Sequence, residues 1–403
     1  MIRKYLILAC LVVCINASAQ ISLTLVPAVP AVLVMDGNRL VEVKKKIVAK
    51  DITAIQILDS LRKQADGFLT QEPMSVMDKV FTPVSGDKHD YMSQAPYFWY
   101  DSTKPKGLPY MRRDGVRNPE IYKITDRSNL GRLETATRVL SLTWYLTGEE
   151  KYAEKSAQLL RVWFLDADTK MNPHLEYGQA IPGINTGRGI GIIETVALTS
   201  IADAASLLHG SGSWSASDDY SLKLWYQQYL KWLLTSKNGN DEHAAKNNHG
   251  TWYYAQVIDF SLFTDNSDKA KQLAEESKRR LDSQLTREGQ QPLELERTNA
   301  LGYSTMNLRG WFTVATLAKR TGVDLWNYQT PNAAGLRTAF DWLLPYATDE
   351  KKWDWQQISK YNKNEIYPLL LQAGTAFMDD KYFMAAKKLN PDFNVMTELL
   401  YGK

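Results

Sequence analysis

Cysteine is almost absent from the 403 residues, and the two present, Cys10 and Cys14, both lie in the opening segment. That segment carries Arg3 and Lys4, an apolar run from Tyr5 to Ile15 and then Ala17-Ser18-Ala19, the layout of a secretory signal peptide with cleavage near Ala19. A lipid-modified cysteine is disfavoured, because bulky Val13 precedes Cys14 and Cys10 would leave a very short apolar run. Residues 1–19 are therefore expected to be removed on export to the periplasm or medium. A mature chain so formed has no disulfide and no cysteine-bound metal, and rests on the core that a chain of this length can bury.

The leading apolar run is short as well. The opening segment falls short of the roughly 20 residues a membrane span requires, so no span is expected. Charge of one sign is also lacking. Losing Arg3 and Lys4 from the 48 basic residues leaves them balanced against 45 acidic ones, which excludes a broad polycation built for nucleic acid. An anionic ligand must be met by local clusters. No nucleophile elbow, Walker loop or dinucleotide fingerprint occurs, and Glu242-His243 with His249 lacks the spacing that puts two histidines on one helical face. Asp166-Ala167-Asp168 has neither the glycine nor the closing glutamate of a calcium loop.

What is abundant is aromatic side chain, with 12 tryptophans and 21 tyrosines, which serves either helix packing or a sugar-binding cleft. Residues 20–53, with Pro27, Pro30, β-branched residues and the Lys44-Lys45-Lys46 run, read as an extended arm. From about Ala54 to the end, apolar spacing is helical nearly throughout and predicts one large all-α domain over 54–403. Leu130, Leu133, Leu140 and Trp144 share one stripe, and similar stripes recur through Ile190–Leu208, Tyr220–Leu234, Trp252–Phe263, Ala270–Leu285, Met306–Thr321, Leu336–Leu344 and Ile366–Phe377. Such helices are expected to pair as antiparallel hairpins, for which a closed ring is one arrangement. Two segments resist this reading, Phe81–Glu120 with its five prolines and Asp166–Arg188 with its Asn, Pro and Gly. Long loops on a helical scaffold tend to be functional.

Two clusters can carry chemistry. Lys246-Asn247-Asn248-His249-Gly250 sets poor helix formers before an apolar helical pattern, which places Asn248 and His249 at a helix N-terminus, a favourable seat for a carboxylate. Glu294-Leu295-Glu296-Arg297 is followed six residues later by Tyr303, which would ionise more readily in the arginine's field. Glu294 with Glu296, or Asp241 with Glu242, could instead be the carboxylate pair of a glycosidase.

Several segments, in order, resemble the alginate lyase family and related helical-toroid uronate lyases. They are Asp90-Tyr91-Met92-Ser93-Gln94-Ala95-Pro96-Tyr97, Arg113-Asp114-Gly115, Asn118-Pro119-Glu120, the run from Met171 to Ala180, Pro182-Gly183, Gly187-Arg188-Gly189, Asn247-Asn248-His249, and Arg297 with Tyr303. The resemblance implies an incomplete (α/α) toroid with long active-site loops, acting on an anionic uronic-acid polysaccharide by β-elimination. It implies that Asn248, His249 and Arg297 surround the substrate carboxylate, that Tyr303 transfers the proton, and that no metal or other cofactor takes part. Arg113, Asn172, His174, Tyr177, Gln179, Arg188 and Trp252 are the expected sugar contacts. Poly-mannuronate is the leading substrate, with glucuronan, hydrolysis on a similar scaffold and non-catalytic sugar binding as alternatives. A monomer or weak dimer is expected.

Overall fold

A computed structural model describes residues 29–389 and 394–402, so the expected leader lies outside the described residues. Its α-helices are α1 (Gly37–Val48), α2 (Ile52–Leu69), α3 (Asp126–Thr147), α4 (Glu150–Phe164), α5 (Ala197–Leu207), α6 (Ala216–Thr235), α7 (Lys237–Ala244), α8 (Asn248–Phe263), α9 (Ser267–Gln284), α10 (Pro292–Leu295), α11 (Ala300–Arg320), α12 (Leu336–Ala347), α13 (Tyr367–Ala376), α14 (Asp380–Leu389) and α15 (Val395–Tyr401). Neighbours in the chain pack as hairpins, with α3 against α4, α8 against α9 and α13 against α14. A second set of contacts runs from α3 to α5, α5 to α8, α8 to α11 and α11 to α13, and α15 returns to α1 and α2. The result is a helical toroid around one contiguous apolar core.

The arm expected over residues 20–53 is corrected by this structure. Asp36 caps α1 by accepting from the N–H groups of Asn38 and Arg39, and Leu40, Val41 and Val43 turn one face of that helix into the core. Just before it, the backbone N–H groups of Leu33, Val34 and Met35 all donate to the buried Asp203 carboxylate on α5. The domain therefore begins well before Ala54. The stripe expected from Ile190 to Leu208 opens with tight 3₁₀ turns over Gly189–Val196 before α5 begins. Gly189–Leu207 is long and apolar enough to cross a membrane, but 67% of its most apolar window is buried inside the protein, as a core helix requires.

Both segments set apart from the helical pattern lack α-helix and are joined to each other. Strands β1 (Met92–Gln94) and β4 (Tyr177–Ala180) pair in parallel, and β2 (Phe98–Trp99) pairs antiparallel with β3 (Met111–Arg112). Buried Glu194 fixes the junction, accepting from the Tyr91 hydroxyl at 2.9 Å and the Ser93 hydroxyl at 2.6 Å. Gly191 is required here, since a Cβ would meet the Gly178 backbone at 2.6 Å. Fully buried Lys79 pairs with Asp126 at 3.0 Å and ties the start of the first loop to α3.

Candidate active site

Tyr303 stands on the first turn of α11, and Arg297 precedes that helix. The Arg297 guanidinium lies 3.7 Å from the Tyr303 ring centroid. The Tyr303 hydroxyl donates to the Tyr97 hydroxyl at 2.8 Å, so the first loop reaches across to this pair. Asp114, also on that loop, holds Arg297 by two hydrogen bonds, Nε to Oδ2 at 3.1 Å and Nη2 to Oδ1 at 2.8 Å. Gly115 makes the approach feasible, having φ +74° and standing where a Cβ would meet the Thr298 hydroxyl at 2.4 Å.

The electrostatics correct one expectation. Tyr303 does not ionise more readily than in water: burial raises its phenol, the Arg297 charge only partly opposes that, and the Tyr97 hydroxyl raises it further. Much of the arginine's charge is already answered by Asp114. Burial alone would raise the Asp114 carboxyl, but Arg297 and Arg112 bring it down to about 2.

Asn248 and His249 open α8, as expected from their spacing, with Asn247 as the cap. Each has a buried glutamate behind it. Asn248 donates from its backbone N–H at 2.6 Å and from Nδ2 at 2.8 Å to Glu294, and its own Oδ1 is buried without a hydrogen-bond partner. Burial raises the Glu294 carboxyl, against those hydrogen bonds and against the nearby charges of Arg297 and His249. His249 Nδ1 lies 2.8 Å from Glu242 Oε1 on α7. A buried carboxylate there favours the tautomer with its proton on Nδ1 and leaves Nε2 as the working nitrogen. Glu294 thus joins fully buried Asn248 directly and lies within the electrostatic reach of both Arg297 and His249.

Beside it lies a cavity of about 320 Å³ lined by Arg112, Lys246, Asn247, Leu293, Glu296 and Arg297. Neither glycosidase pair faces a common cleft. Glu294 is buried while Glu296 is exposed, and Glu242 is buried while exposed Asp241 pairs with Lys237.

The expected sugar contacts divide. Trp252 is 6% exposed, inside the core, with Gly310 packed against its indole, and its assignment as a sugar contact is corrected. Asn172 Nδ2 donates to Asp87 and Asp90, and His174 Nε2 lies 2.9 Å from Asp90 Oδ1, so these two brace the junction of the loops. Gln179 is buried with φ +51°, and its Oε1 accepts from Arg188 Nη2 at 2.8 Å. Arg188 therefore bonds Gln179, and its guanidinium lies over the Phe98 ring. Tyr177 is half-buried against His174, and Arg113 is exposed with its guanidinium over Trp99. Sequence reasoning gave no role to Tyr97 or Asp114, although both sit in motifs that carried the resemblance, and it read Glu242 and Glu294 as members of glycosidase pairs, where the structure sets them behind His249 and Asn248.

Over residues 75–353 the chain matches the family model described as alginate lyase. Its structure is similar to that of an alginate lyase from Bacteroides ovatus, at 38% identity, with 93% of this chain and 99% of that chain covered and a TM-score of 0.89. It is similar in fold to alginate lyase A1-III from Sphingomonas species A1, at 14% identity, with 85% and 94% covered and a TM-score of 0.56. A variant of A1-III complexed with tetrasaccharide gives 14% identity, 86% and 94% coverage and a TM-score of 0.57. Among curated proteins none matches the chain.

Proposed function

The chain belongs to the alginate lyase family and is a polysaccharide lyase, and from that premise we propose that it cleaves poly-mannuronate stretches of alginate by β-elimination, with Tyr303 transferring the proton. The observation that carries this reading is the Arg297–Tyr303 contact at 3.7 Å, flanked by His249 at a helix N-terminus. The C5 proton of a uronate is weakly acidic because its removal adds charge beside an existing carboxylate. Arg297 neutralises that group together with His249 in the form that carries a proton on each ring nitrogen, Nδ1 toward Glu242 and Nε2 toward the substrate, in a site where fixed donors need little reorganisation, while fully buried Asn248 stands behind them on Glu294. Tyr303 takes the C5 proton in its ionised form, which its raised phenol keeps to a small share of the enzyme at neutral pH. It then returns a proton to O4 as the C4–O4 bond breaks and the C4–C5 double bond forms. In mannuronate both positions lie on one side of the ring, so one tyrosine serves both steps.

A second reading rests on the His249–Glu242 hydrogen bond. A neutral imidazole held this way presents Nε2 as a base, which suits guluronate, where the C5 proton and O4 lie on opposite faces and Tyr303 acts as the acid. Absorbance of the unsaturated product is to be followed on poly-mannuronate, poly-guluronate and glucuronan with wild type and Tyr303→Phe. A rise on poly-mannuronate that the variant loses supports the first reading, and a rise confined to poly-guluronate supports the second. Reducing ends without absorbance would overturn elimination. Export is part of the proposal, supported by the leader pattern over residues 1–19. Recovery of protein starting near Gln20 from the periplasm or medium is its test.

A further inference from the structure

On α12 and in the loop that follows it the chain carries four large aromatic residues that the chemistry above does not use. Trp342 and Tyr346 project from α12, and Trp353 and Trp355 from the loop that follows, with ring centroids between 4.8 and 6.2 Å apart. Trp342, Tyr346 and Trp353 rest against the core, whereas half-buried Trp355 meets Trp342 and Tyr346 edge to face and lies tilted against Trp353. An indole held by neighbouring rings yet facing water is a preorganised stacking surface.

The next residues tie this surface to the active site. Ala300 donates to the Gln356 carbonyl at 3.0 Å, Leu301 to Gln357 Oε1 at 3.1 Å, and Ile358 to the Thr298 carbonyl at 3.0 Å. The loop is thereby joined along residues 298–301, between Arg297 and Tyr303. Trp355 stands two residues before Gln357, so their Cα atoms lie within about 7 Å. The surrounding charge suits an anion. Asp349 pairs with Lys363 and Glu350 with Lys388, leaving exposed Lys351 and Lys352 against Asp354. Lys351 Nζ lies 5.9 Å from the Tyr346 ring centroid. The family match ends at residue 353, before Trp355.

We infer that Trp355, backed by Trp342, Tyr346 and Trp353 and flanked by Lys351 and Lys352, is a remote binding platform for the anionic polysaccharide. A sugar's C–H face stacks on the indole, and the lysines meet carboxylates of units that extend beyond the catalytic residues. The inference rests on the proposed substrate class, so it is tested in two ways. In steady-state kinetics, Trp355→Ala is expected to raise KM on long alginate about tenfold, with kcat and turnover of short oligomers unchanged. Lys352→Ala should move KM in the same direction by a smaller factor, and Trp355→Phe should recover part of the loss. Equal losses on long and short substrates, or unchanged KM on both, would overturn it. Migration through native gels containing alginate decides the matter without turnover: wild type must be retarded, and Trp355→Ala less so at equal thermal stability. Absent lyase activity with that difference in retardation would sink the catalytic reading and leave the platform standing, whereas activity without the difference would do the reverse.

Discussion

Arg297 meets a protein carboxylate before it meets a substrate one. Asp114 occupies two of its donors, so a uronate must share or replace that partner, and the energetic gain on binding is a difference between two carboxylates. Tyr303 is similarly engaged through Tyr97, whose hydroxyl helps raise the phenol. If phenolate Tyr303 is the base, kcat/KM rises with pH as that phenol ionises. Tyr97→Phe removes a raising influence, so this limb is expected to move to lower pH, checked by pH–rate profiles of both proteins; an unmoved limb would detach Tyr97 from proton transfer. None of these pairings was legible in the sequence. Tyr97 and Tyr303 are separated by 206 positions and Asp114 and Arg297 by 183, and no local spacing encodes such a meeting. Asn248 and His249 were legible because a cap followed by helical periodicity is a local signal.

At the level of elements, the long helices from α2 to α13 followed apolar periodicity, short α7 and α10 did not announce themselves, and the two aperiodic stretches became the loops that carry Tyr97, Asp114 and Gln179. The first helix was missed because Pro27, Pro30 and the β-branched residues before it outweighed Asp36 and its following Leu-Val-x-Val stripe. Trp252 was misplaced for the opposite reason, since an aromatic residue one turn into a functional helix has the same sequence appearance whether it faces sugar or core. The clamp of α5 on the segment before α1 has a pH signature. Burial raises the Asp203 carboxyl to about 6, although three backbone N–H groups oppose it, and neighbouring Asp259 is raised further by burial and by Asp203 itself. With the folded value above the unfolded one, near 3.9, the stabilising contribution is full below about pH 4 and is lost as pH rises through 6. Asp203→Asn removes this titration while retaining one acceptor oxygen. Its melting temperature is expected to change less between pH 4 and 7 than that of the wild type, in calorimetric scans at several pH values.

The whole molecule closes through its last helix. α15 buries Val395, Leu399 and Leu400, and Arg39 on α1 donates to the carbonyls of Glu398 and Leu399. Burying such side chains contributes about 1.5–3 kcal/mol each, which is comparable in sum with the roughly 5–15 kcal/mol by which a domain is stable. A chain ending at residue 389 is therefore expected to lose cooperative melting of its far-ultraviolet dichroism, even though residues 75–353, the span of the family match, remain intact. A melting curve like that of the full chain would show the ring to be self-sufficient without its closing helix. Periodicity could indicate a large all-α domain but not this closure, because the contact joins segments whose patterns are individually complete.

The meeting of α15 with α1 and α2 also orders events in time. As the protein is synthesised, the apolar faces of the first two helices emerge long before the residues that cover them. The ring has an open seam until the final helix has been made. Contacts of such sequence separation slow folding and prolong the exposure of apolar surface, so the chain's greatest exposure to aggregation falls late in its synthesis, when nearly all of the toroid is in place and its seam is still unsealed.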